Sequence, residues 1–226
     1  MPYRLLKFGL SGNYPEPRMF RKPTELKPEY DAVIIGGGGH GLAAAYYLAK
    51  DHGITDVAVL EKGYLGGGGT GRNTAIVRSN YLTPEGARFY QASVELFQDL
   101  SRELDYNLFY SERGHFTLAH SPASLRTQRW RAEVNQHLGI DSQVVDPDFI
   151  QSAIPEIDLC CGGRQPPIHG ALFHPPGAIA RHDAVAWAYA RGADQRGVEI
   201  HQQTAVNDIE IRDAAVIGVH TDRGYI

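Results

Sequence analysis

Residues 33–50 read VIIGGGGHGLAAAYYLAK: an apolar run and an alanine-rich run joined by five glycines in the six positions 36–41. Glycine is costly inside regular structure because it loses the most backbone freedom on folding. Such a concentration implies that another group comes very close to this backbone. The run 31–35 predicts a short β-branched strand, 41–50 a helix, and VAVLEK at 57–62 a second buried strand, so 30–62 has the size of one βαβ unit. In that context Gly36-x-Gly38-x-x-Gly41 fits the dinucleotide fingerprint. Gly36 allows the tight turn, Gly38 lets a pyrophosphate touch the backbone, and Gly41 lets helix and strand pack closely. The helix N-terminus then points N–H groups at the phosphates. Glu61 lies 20 residues beyond Gly41, at the end of the second strand, where a carboxylate binds ribose hydroxyls.

A second glycine-rich run, GYLGGGGTGRNT at 63–74, follows directly. An NAD protein has no need of it, whereas a flexible backbone with polar side chains suits a longer cofactor such as FAD. The remaining composition is permissive. A chain of 226 residues with 42% hydrophobic and 21% charged residues is ordinary for a soluble globular protein of one large or two small domains. Its net charge of −4 gives no sign of nucleic acid or a membrane surface as a partner. The first thirty residues lack a signal-peptide core and no apolar run reaches membrane length, which makes the cytoplasm the default compartment. Cys160 and Cys161 are adjacent, so a disulfide framework is excluded and a structural role is expected. Histidines 52, 115, 120, 137, 169, 174, 201 and 220 show no metal-ligand spacing and read as structural or surface groups; no metal site is expected.

Outward from the fingerprint, residues 1–29 are rich in proline and charge and read as an N-terminal extended arm. Thr83-Pro84 opens a helix to about Leu104, with Phe89, Leu96, Leu100 and Leu104 on one side. Ser121-Pro122 opens another that carries Trp130, Val134 and Leu138 and stops at Gly139. GHFTLAH and GALFHP are strand candidates, a third helix runs over 183–196, and strands are predicted near 198–202, 206–211 and 214–221. The fold class expected is α/β: a Rossmann-like FAD-binding domain with an inserted α+β substrate domain. The division expected is an arm over 1–29, FAD-binding segments over 30–85 and 178–226, and a substrate domain over 86–177. A strand, a turn at Asp222–Gly224 and two residues of a returning strand close the chain, so the FAD-binding domain is expected to be C-terminally incomplete.

The stretch 30–82, and RHDAVAWAYARGADQRGVEI at 181–200, resemble the β subunits of heterotetrameric sarcosine oxidases, within the D-amino-acid-oxidase-like FAD-dependent oxidoreductase family. By this resemblance Gly36, Gly38, Gly39, His40 and Gly41 match the pyrophosphate loop, and Glu61, with Lys62 beside it, the ribose-binding acid. Gly69, Thr70, Arg72, Asn73 and Thr74 match the loop over the inner part of non-covalent FAD, and Val206 a position whose backbone contacts the adenine. His182 matches the covalent attachment point of a second flavin, FMN. Arg78 matches an arginine that grips a substrate carboxylate; a basic residue of related enzymes three positions earlier is Ala75 here. The resemblance implies oxidation of a secondary amine such as sarcosine, with tetrahydrofolate as a possible acceptor of the one-carbon product and α, γ and δ subunits as partners. Two alternatives stand beside it: a related amino-acid or opine oxidase or dehydrogenase, and a truncated, non-catalytic FAD-binding fragment.

Overall fold

The computed structural model describes residues 3–11, 19–159 and 166–226, in two compact units: 1–67 with 189–226, and 68–188. Cys160 and Cys161 lie outside the described residues.

The first unit is built on three parallel strands, β1 (Ala32–Ile35), β2 (Val57–Glu61) and β9 (Glu199–Gln202), with β2 in the middle. The pairs Ala32↔Val57 and Ala58↔Glu199 set the register. Val57 to Leu60 are all buried, the continuous apolar run that a parallel strand covered on both faces requires. Helix α2 (Gly39–His52) makes the β1–β2 crossover and buries Leu42, Ala45, Tyr46 and Ala49. Each large side chain buried this way stabilises by about 1.5–3 kcal/mol relative to exposure. Gly53 ends α2 in the left-handed conformation (φ 68°), its N–H bonded to Leu48 O. Strands β10 (Val206–Arg212), β11 (Ala215–Thr221) and β12 (Gly224–Tyr225) form an antiparallel meander. Val206, Leu26, Tyr30 and Val33 pack around Ala58, Leu60, Val219 and Ile226.

The N-terminal expectation needs correction. Residues Tyr3–Ser11 form a helix, α1, rather than extended chain, because no proline falls within them. Residues 19–30 do run without helix or strand. They are tied down by Arg21 on Asp194, by Lys27 on Asp56 and Glu199, and by the Tyr30 hydroxyl donating to Glu199 Oε2.

The second unit holds two small antiparallel sheets. In one, β8 (Ala178–Ile179) lies between β3 (Ile76–Val77) and β4 (Ser111–Glu112); in the other, β7 (Gly170–His174) lies between β5 (His115–Ala119) and β6 (Gln143–Val145). Helices α3 (Pro84–Glu103), α4 (Pro122–His137) and α5 (Pro147–Ala153) each begin on a proline after a capping side chain. Thr83, Ser121 and Asp146 accept hydrogen bonds from the N–H groups of Gly86, Ser124 and Phe149. Helix α6 (His182–Asp194) begins in this unit and ends in the first.

Two amphipathic faces differ from expectation. In α3 Leu100 is buried, and Leu104 behind it, but Phe89 and Leu96 are exposed and Ala87 and Val94 are buried instead. In α4 Trp130 is 54% exposed, and the buried residues are Gln128, Ala132 and Asn135. The helical period was legible; the face chosen depends on what each helix packs against.

Candidate functional site

In the first unit the chain leaves β1 through Gly36, whose φ of 109° only glycine adopts without strain. Its N–H donates to Leu60 O, which extends the sheet to the start of the loop. A Cβ on Gly41 would stand 2.1 Å from Gly36 O and 3.2 Å from Ile34 Cγ2. A Cβ on Gly37 would stand 2.5 Å from Leu65 Cδ2. The loop is therefore closed against the strand behind it. Gly38 caps α2 in an extended conformation with no side chain, and Gly39, His40 and Gly41 form the first turn, with His40 exposed.

Glu61 does something the sequence reading missed. Its Oε2 accepts from Gly37 N and its Oε1 from Gly63 N, both at 2.8 Å. The carboxylate staples the first glycine loop to the start of the second and keeps lone pairs for a further donor. The 63–66 segment is also held from the other side. Leu65 N donates to Gln202 Oε1, both the backbone and the side-chain N–H of Gln203 donate to Gly63 O, and Gly66 N donates to Gly37 O. Lys62 is exposed beside this staple. Val206 starts β10, opposite Thr221.

Gly69, Thr70, Arg72, Asn73, Thr74, Arg78 and His182 lie in the second unit. Gly69 precedes a single 3₁₀ turn, Thr70–Arg72. Asn73 knots this loop: its Nδ2 donates to Thr70 O and its Oδ1 accepts from Ala75 N, each at 2.6 Å. Ala75 is thereby held at φ 60°, which is unusual for a residue with a Cβ. Arg78 follows β3; its Nη1 donates to Asn80 Oδ1 at 2.7 Å, and its guanidinium carbon sits 4.5 Å from the centre of the Tyr81 ring. Tyr81 in turn stacks on Tyr90 at 3.9 Å. His182 begins α6, and its Nδ1 is buried without a hydrogen-bond partner. It is preceded by Arg181, whose N–H donates to Leu108 O and whose guanidinium pairs with Asp183. No group of three metal-ligating side chains, and no helix long and apolar enough to cross a membrane, occurs among the described residues.

A strand, a side-chain-free loop braced by a carboxylate, and the N-terminus of a helix thus converge at one end of the parallel sheet. The family model for FAD dependent oxidoreductases (DAO) matches residues 31–226.

The chain belongs to the FAD dependent oxidoreductase family.

It is 45% identical over 222 residues to the sarcosine oxidase subunit beta of Rhizobium meliloti, an alignment covering 98% of this chain and 53% of that protein. It is 48% identical over 202 residues to the same subunit of an Arthrobacter species, covering 89% and 50%. Among solved structures, L-proline dehydrogenase from P. horikoshii superposes with a TM-score of 0.80 at 25% identity, over 89% of this chain and 51% of that one. The chain spans about half the length of the curated relatives it matches. The α/β FAD-oxidoreductase architecture expected of the sequence is the one found.

The glycine loop and Glu61 fit the pyrophosphate and ribose of a dinucleotide such as the FAD of this family. Gly36 and Gly41 leave no Cβ between strand end and helix, and Glu61 stands at the end of β2 with spare acceptor capacity. Backbone N–H groups and the helix dipole act together on a pyrophosphate at such a helix N-terminus.

Proposed function

We propose that this chain is the FAD-binding part of the β subunit of a heterotetrameric oxidase that acts on sarcosine or a close secondary amine. The supporting observation is the strand–glycine loop–helix unit with Glu61 at the neighbouring strand end, in a chain 45% identical to a sarcosine oxidase subunit beta over 98% of its length. When bound, FAD supplies the two-electron acceptor for the N-methyl carbon of the amine. Gly36 to Gly41 give the pyrophosphate a bare backbone and the first turn of α2 faces it with N–H groups. Glu61 accepts from the ribose hydroxyls, and Val206 offers backbone to the adenine. Gly69, Thr70, Arg72, Asn73 and Thr74, in the loop knotted by Asn73, would hold the inner part of the cofactor, as the family resemblance implies. Arg78 grips the substrate carboxylate through two parallel N–H···O bonds. Its Nη1 also donates to Asn80 Oδ1, which sets the direction of the fork.

His182 carries a second flavin, FMN, covalently. Support comes from its Nδ1, which is buried without a partner at the start of a helix. A neutral imidazole nitrogen is a competent nucleophile near pH 7. Partner subunits complete the assembly, and tetrahydrofolate is the expected acceptor of the one-carbon product.

The test uses the holoprotein co-expressed with its partner subunits. Acid release should liberate FAD and no NAD, and sarcosine should bleach the bound flavin without added oxygen. Trypsin cleaves after Arg181, so the peptide beginning at His182 should carry the FMN mass. Release of NAD alone would overturn the FAD assignment. An unmodified His182 peptide from complex with full flavin content would overturn the FMN attachment and leave the FAD assignment standing. A second reading is favoured by the proline dehydrogenase likeness: a cyclic secondary amine as substrate. Bleaching by L-proline but not by sarcosine would select it.

A further inference from the structure

The sheet β5–β7–β6 has two unlike faces. Phe116, Phe173 and Ala171 point to one side and pack on Phe149 and Ile150 of α5, an ordinary apolar core. On the other side His115 stands directly across from His174. Helix α4 covers this side: a Cβ on Gly170 would stand 3.1 Å from Leu125 Cδ1. Its inward face carries Gln128, Arg131 and Asn135, at i, i+3 and i+7. The layer between helix and sheet therefore sets polar side chains beside the buried apolar groups Leu172, Ala119 and Ala132.

Part of this layer is satisfied. His174, fully buried, donates from Nδ1 to Asp141 O at 2.6 Å and accepts at Nε2 from Ser79 N at 3.3 Å. Ser79 Oγ donates to Gln91 Oε1, and Asn135 Nδ2 donates to Tyr81 O at 2.6 Å. These bonds dock the segment Arg78–Tyr81 onto the layer. The rest is unsatisfied. Of the seven buried side-chain polar atoms without a partner among the described residues, five are here: Asn80 Nδ2, His115 Nδ1, Gln128 Oε1, Arg131 Nε and Asn135 Oδ1. Asn80 and Asn135 are 0% exposed and Gln128 is 5%. Among the described residues neither Arg78 nor Arg131 has a carboxylate within ion-pair distance. Burial, and then the charge of Arg78, lower the pKa of Arg131. Burial and then Arg78, His174 and Arg131 lower that of His115.

Two neighbouring guanidinium groups in a partly buried layer repel each other, and each unpartnered buried amide costs free energy that a ligand would recover. The open groups sort into two kinds. Arg131 Nε and Asn80 Nδ2 are donors and call for a carboxylate oxygen; Gln128 Oε1 and Asn135 Oδ1 are acceptors and call for an N–H. A small amino acid offers both.

We propose that Arg131, with Asn80 beside Arg78, completes a carboxylate-binding site under α4, and that Gln128 and Asn135 receive the N–H groups of the same ligand. This rests on the reading above that Arg78 holds the substrate carboxylate. Arg131 is then a second substrate-binding residue, contributed by a helix that carries no recognisable motif.

Acetate serves as the probe, followed through the flavin absorbance of the holoprotein and through its melting temperature. In the parent protein acetate should bind, raise the melting temperature and compete with sarcosine. Arg131→Met should weaken acetate at least tenfold and raise the sarcosine KM at least tenfold, with kcat changed less than about threefold. Arg131→Lys should recover part of the affinity, since a lysine restores the charge but not the planar fork. Asn80→Asp guards against a simple folding defect: it keeps the acceptor for Arg78 and places an internal carboxylate against that guanidinium. That variant should be at least as stable as the parent and should no longer bind acetate. If Arg78→Met weakens acetate and Arg131→Met does not, this inference is wrong and the Arg78 reading survives. If neither substitution matters, the Arg78 reading fails as well. Acetate binding that does not compete with sarcosine would also overturn the shared site.

Discussion

Gly41 shows how little freedom one position can have. A Cβ there would stand 2.1 Å from a backbone oxygen, which no rotamer change relieves. Gly41→Ala should push α2 off the strand, with a loss of stability on the order of 1–3 kcal/mol. It should also lose most of the flavin, measured by absorbance after gel filtration of the holoprotein. Retention of stoichiometric FAD would show that the close helix–strand approach is dispensable. Glu61 is a second single-residue test. Its two oxygens accept from two backbone N–H groups, and Glu61→Gln would turn an NH2 toward one of those donors. A buried donor left facing a donor costs about 1–3 kcal/mol. Both the unfolding midpoint and the FAD affinity should fall, and an unchanged midpoint would mean the staple contributes nothing. The tight turn at Gly36, the close approach at Gly41 and the place of Glu61 at a strand end were legible in the sequence from spacing alone. The staple was not, because a carboxylate that binds ribose and one that binds two loop N–H groups look the same in a sequence.

At the scale of elements, the caps read well and the faces read poorly. Thr83-Pro84 and Ser121-Pro122 open α3 and α4 as expected, since a capping oxygen and a proline act within three residues of each other. Asp146-Pro147 is the same signal, followed by a helix only seven residues long. Burial faces are not local. Leu100 is 0% exposed and Phe89 is 69% exposed, although both belong to the apolar stripe expected of α3. Leu100→Ala should therefore cost about 2–5 kcal/mol in urea unfolding, whereas Phe89→Ala should stay within about 0.5 kcal/mol. Equal effects of the two substitutions would contradict the face seen here.

For the whole molecule, two buried histidines, His174 and His201, and the half-buried His115 set a pH dependence. Burial is the leading cause that lowers the pKa of His115, His174 and His201. For His201 the neighbouring Glu199 opposes that shift without reversing it. All three resist protonation when folded, whereas the unfolded chain takes up those protons near the ordinary histidine pKa of about 6.5. The unfolded state then binds more protons, so stability is fully present above that pH and is lost as pH falls below it. The slope is at most about 1.4 kcal/mol per pH unit for each group. Urea midpoints should fall steadily from pH 7.5 to 5.5, and His174→Gln should flatten the profile. A midpoint independent of pH over that range would contradict the buried neutral histidines.

The α/β class, the βαβ unit, the glycine loop with its carboxylate and most element starts followed from the residues alone. Each of these depends on interactions within a few positions of the chain: a glycine torsion, a capping oxygen, an apolar period. Tertiary structure decided the rest. It turned Trp130 outward and Gln128, Arg131 and Asn135 inward, because the strand pair that α4 meets carries His115 and His174 beside its apolar residues. A polar residue on a helix reads as surface until the opposing face is known. Burial is set by the partner across the interface, and that partner lies tens of residues away in sequence.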